Sequence, residues 1–127
     1  VLYGDYEAAI KSMARRTYLS AIATKLRFGL DIPELSLTRL IESFPEDPLG
    51  IIEFLNSFKI AREDGLDDIE FLQYPFTNQD TEAALARLGL DVNMNTFVLR
   101  ERKIDPRPLS KNVMELLAKY GRLEFNP

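Results

Sequence analysis

The chain has 127 residues, 46% apolar and 28% charged, the balance of one ordinary globular domain. It contains no His, Cys or Trp, which excludes His- or Cys-based nucleophilic catalysis, disulfides, and any zinc-finger, haem or iron–sulfur site built from its own side chains. The net charge of −4 is unevenly spread, at +3 over residues 1–30, −9 over 31–90 and +2 over 91–127.

Taken in chain order, residues 5–28 are expected to form one helix. Ala8, Ile10, Met13, Ala14, Tyr18, Ala21, Ile22 and Leu26 recur at three- and four-residue spacings and give a single apolar stripe. Asp5 and Glu7 suit its N-terminus, Lys25 and Arg27 its C-terminus, and Gly29 its end. A short helix follows over residues 36–44, capped by Ser36, with Pro45 and Pro48 breaking it. The next spans residues 48–63, starts with a proline in its first turn and stops at Asp64-Gly65. Residues 67–74 fit either a short helix or a strand. Residues 79–88 are helical, capped by Thr77 or Asn78 and closed by Gly89. Residues 96–104 read best as a strand, because Phe97, Val98 and Leu99 are sheet formers. Residues 109–120 form a last helix, with Ser110 as cap and Gly121 as stop.

The expected fold is therefore mainly α, with five or six helices in one domain and at most one short β-hairpin. The helices are open to stacking as an irregular repeat, since Pro45, Pro75 and Pro106 stand 30 and 31 residues apart, each ahead of a helix. No apolar run approaches the roughly 20 residues of a membrane span. No basic segment followed by an apolar one opens the chain, so no leader is expected. The start at Val1 reads as a processed chain or a piece of a longer one. The expected location is cytoplasmic or otherwise intracellular.

Three stretches resemble α-helical repeat families. Gly4-Asp5-Tyr6-Glu7-Ala8-Ala9-Ile10 is similar to the start of a helix in tetratricopeptide repeats. Leu88-Gly89-Leu90-Asp91-Val92-Asn93 and Leu116-Leu117-Ala118-Lys119-Tyr120-Gly121 resemble the helix-to-loop ends of ankyrin repeats. The tetratricopeptide Trp-Leu-Gly pattern and the ankyrin Thr-Pro-Leu-His pattern are both absent. The resemblance covers about 20 residues and implies a scaffold of stacked helices that binds other proteins.

Three functions are weighed from the residues. The first is a non-enzymatic interaction, adaptor or regulatory module, free of cofactor, that docks another protein, alone or within a larger assembly. Its preferred face is the acidic middle, residues 42–82, with Glu63, Asp64, Asp67, Asp68 and Glu70 as contact residues. Tyr3, Tyr6, Tyr18 and Phe125 near the basic ends are either anchors for a partner or core. The alternative is a nucleic-acid-binding regulator resembling a helix-turn-helix over residues 81–103. It would use Arg15, Arg16, Arg27 and Lys103 for phosphates, with Asn93, Asn95, Arg100 and Arg102 as reading residues. A remote alternative is a Mg-dependent nuclease, because Asp91 and Glu101-Arg102-Lys103 resemble a PD-(D/E)xK metal site. No Gly-rich phosphate loop is present, and no metal is expected.

Overall fold

The computed structural model of the chain describes residues 1–95, 98 and 106–127. Among them are six helices: α1 Tyr6–Arg15, α2 Leu19–Phe28, α3 Leu37–Ser43, α4 Ile51–Glu63, α5 Asn78–Arg87 and α6 Lys111–Tyr120. Two short strands, β1 Leu2–Tyr3 and β2 Leu72–Gln73, complete a mainly α fold.

Short polar side chains set where four helices begin. Asp5, Ser36, Thr77 and Ser110 accept from the backbone N–H of Ala8, Arg39, Asp80 and Val113, at 2.6, 3.2, 3.1 and 3.4 Å. Each such cap contributes about 1 kcal/mol by satisfying a donor that the helix cannot pair itself. At α5 the cap is reciprocal, since the Asp80 carboxylate accepts from the Thr77 N–H at 2.8 Å. That bond, with a second from the Thr77 hydroxyl, holds the Asp80 carboxyl below its usual range.

The single helix expected over residues 5–28 is in fact two. Arg16, Thr17 and Tyr18 form a Schellman stop: the Tyr18 N–H reaches the Met13 carbonyl at 3.1 Å and the Thr17 N–H the Ala14 carbonyl at 3.0 Å. The same stop closes α4 and α5, with Gly65 and Gly89 in its left-handed position. After α1 that position is held by Thr17, at φ 59. A β-branched residue there costs about 1–2 kcal/mol, so composition gives no warning of the break.

α4 also starts later than expected. Pro48 is fully buried ahead of it rather than in its first turn. Asp47 makes the difference. Its carbonyl accepts the Gly50 N–H and its carboxylate the Glu53 N–H, both at 3.0 Å. Gly50 sits between them as the left-handed N-cap, at φ 69.

The strand pair is parallel rather than a hairpin, and places Leu2 opposite Leu72 and Tyr3 opposite Gln73. This settles part of residues 67–74 as strand. The strand expected over residues 96–104 lies outside the described residues, except for Val98, which is exposed.

The core gathers Tyr6, Ile10, Leu19, Ala23, Leu40, Leu49, Leu116 and Tyr120. Each large apolar side chain buried there contributes roughly 1.5–3 kcal/mol. α2 packs against α1, α3 and α4, while α6 returns from the end of the chain to pack on α1. α5 rests on β2. The helices that follow Pro45, Pro75 and Pro106 thus have different main partners: α2, β2 and α1.

Candidate protein-docking surface

The acidic residues collect where α4 ends, because the Schellman stop turns the chain back over the last helical turn. The Leu66 N–H bonds the Ala61 carbonyl at 3.0 Å, which brings Leu66 beside the turn that carries Ile60 and Ala61. Glu63, Asp64, Asp67 and Asp68 are all exposed around this turn. Ile60 and Leu66 are 56% and 61% exposed among them, so the surface mixes carboxylates with apolar side chains.

The nearby cations face elsewhere. Lys59 donates to the Asn126 carbonyl at 3.1 Å. Arg62 lies over the Phe71 ring at 4.8 Å. Arg87 pairs with Glu70 at 2.9 Å. The ion pairs of the described residues therefore leave Glu63, Asp64, Asp67 and Asp68 without a cationic partner. No group of three or more carboxylates among the described residues converges as a metal site would require.

Glu70 stands apart from the other four. It is half-buried, holds Arg87 with its side chain, and its carbonyl accepts from the Val1 ammonium at 2.7 Å. It ties the chain start and α5 together, a role that spacing alone does not separate from that of its exposed neighbours.

The basic residues of the first segment are not all at the surface. Arg16 and Lys25 are exposed and Arg15 is half-buried. The Arg27 side chain is only 6% exposed. Its guanidinium donates to Glu53 and to the Asp47 carbonyl and lies over the Phe44 ring at 3.7 Å. These contacts use its charge and its flat face inside the fold.

Asn93 and Asn95 are exposed, but the Asn93 side chain accepts the Asn95 N–H at 2.9 Å and closes a local turn. Glu82 and Asn78 hold the same loop to α5 through the Met94 N–H and carbonyl, at 2.8 and 3.0 Å. Asp91 is exposed. Arg100, Glu101, Arg102 and Lys103 lie outside the described residues.

The aromatic residues divide. Tyr6 and Phe125 are core residues, 2% and 9% exposed. Tyr3 packs edge-on against Phe71 and Phe125, at 6.3 and 5.2 Å between ring centres. Tyr18 is 55% exposed, at the corner between α1 and α2. No helix among the described residues is long and apolar enough to cross a membrane. No protein-family model, curated protein or solved structure matches the chain.

Proposed function

We propose that this chain is a non-enzymatic protein-interaction module that docks a basic partner on the acidic end of α4. One observation carries the reading. Four exposed carboxylates, Glu63, Asp64, Asp67 and Asp68, have no cationic partner, while Lys59, Arg62 and Arg87 are engaged within the chain. Exposed charges of one sign steer an oppositely charged partner and set its orientation. Ile60 and Leu66 supply apolar area on the same surface.

Arg27 belongs to the interior, which weighs against the nucleic-acid reading for the first basic segment. The test is capture of partners by the natural chain and by Asp64→Lys/Asp67→Lys/Asp68→Lys. A partner that is lost with the triple reversal, and released by added salt, supports the surface. An unchanged partner list after the reversal removes it.

A further inference from the structure

Residues 5–28 carry one continuous apolar stripe, yet the chain turns at residues 16–18. The turn requires a left-handed residue, and Thr17 takes that conformation where α4 and α5 use glycine. A β-branched residue stays there only when the surrounding structure holds it. The Thr17 hydroxyl donates to the adjacent Arg16 carbonyl at 2.7 Å. Thr17 and Tyr18 are exposed, so the corner is open to solvent.

α2 begins here without a side-chain cap. The N–H groups of Leu19, Ser20 and Ala21 therefore lack the carbonyls of Arg15, Arg16 and Thr17, which a straight helix would offer them. The bend leaves these donors without a backbone partner and one residue strained, and a straight helix removes both.

The segment before the corner is held by distant parts of the chain. β1 pairs with β2, and α1 packs on α6. Contacts of this kind are satisfied equally well by the same arm of another copy, and a short strained hinge favours the exchange.

We propose that residues 16–18 are a hinge through which two copies of this chain exchange their β1–α1 arms. In the exchanged form α1 and α2 run on as one helix over residues 6–28, about 34 Å long at 1.5 Å per residue. Each arm then packs on β2, α2 and α6 of the other copy, which replace the contacts it makes within one chain. Both Thr17 residues leave the left-handed region, and the first donors of α2 gain helical partners.

The test is refolding at graded concentration, followed by light scattering, for the natural chain, Thr17→Gly and Thr17→Ala. Glycine relaxes the turn and weakens a straight helix, whereas alanine does the reverse. The expected result is a dimer fraction in the natural chain that rises with concentration. It falls about tenfold with Thr17→Gly and rises about tenfold with Thr17→Ala. Glu7 and Arg122 line one shallow groove between the start of α1 and the end of α6, and the natural chain has no cysteine. Glu7→Cys/Arg122→Cys, joined by a bismaleimide linker that spans the groove, therefore reports which chain each arm lies on, with a dimer linked between chains and a monomer linked within one. A natural chain that stays monomeric at every concentration overturns the proposal. So does a dimer whose fraction ignores Thr17→Gly, or whose cross-links stay within single chains. Thr17→Gly keeps the observed bend, so these outcomes decide the matter even if Thr17→Ala fails to fold.

Discussion

The Tyr6 hydroxyl donates to Asp47 Oδ1 at 2.6 Å and joins the first turn of α1 to the loop before α4. Asp47 is the centre of a polar hub. Its second carboxylate oxygen accepts the Glu53 N–H, and its carbonyl accepts from Arg27. Three helices, α1, α2 and α4, thus meet at one loop residue, next to the apolar core that contains Tyr6.

Tyr6→Phe is expected to lower stability by about 1–2 kcal/mol, because Asp47 keeps its charge and loses a donor. Denaturant unfolding of the two proteins checks this. Burial raises the Tyr6 pKa, and the hydrogen bond to Asp47 and its charge raise it further. An unfolded tyrosine ionises near pH ~10. The stabilisation from the neutral phenol is thus fully present below that pH and is lost progressively as pH rises above it. Tyr6→Phe should flatten that alkaline fall. An identical fall in the variant would assign it to other groups.

Arg27→Ala is expected to cost about 2–3 kcal/mol, from lost packing on Phe44 and a lost donor to the Asp47 carbonyl. Calorimetry should show the lower melting temperature. A titration with duplex DNA should show no difference between the variant and the natural chain, since the guanidinium is turned inward.

Thr17→Gly is expected to stabilise the single chain by about 1 kcal/mol, by removing the Cβ at a left-handed position. Urea unfolding at low protein concentration measures it. A destabilised variant would show that Thr17 is not strained there.

The charge reversal at Asp64, Asp67 and Asp68 should leave stability within about 0.5 kcal/mol of the natural value, because all three are exposed and unpaired. Glu70→Ala should instead lower stability, by about 0.2–1 kcal/mol from the partly exposed pair with Arg87. Thermal unfolding of both variants separates the docking residues from the residue that ties the fold together.

Much of the helical layout was legible because side-chain caps act locally. Ser36, Thr77 and Ser110 each bond a backbone group three residues on, so the residue type and the following apolar pattern suffice to place them. The α1–α2 corner was not legible, because a threonine stands where the other Schellman stops use glycine. Nor was the β1–β2 pair, whose partners are 70 residues apart and only two residues long. The exposed carboxylates of the surface followed from composition. What separates them from Glu70 is a pairing with Arg87, 17 residues away. Arg27 shows the same limit, since its charge reads as surface until the Asp47 loop folds over it.

Zero-length carbodiimide coupling tests the central claim most directly, because it joins a carboxylate to a lysine only where the two touch. With a captured partner, peptide mapping should place the links on Glu63, Asp64, Asp67 or Asp68 and find them gone in the triple reversal. Links confined to carboxylates elsewhere on the chain, with the triple reversal still bound, would contradict the assignment.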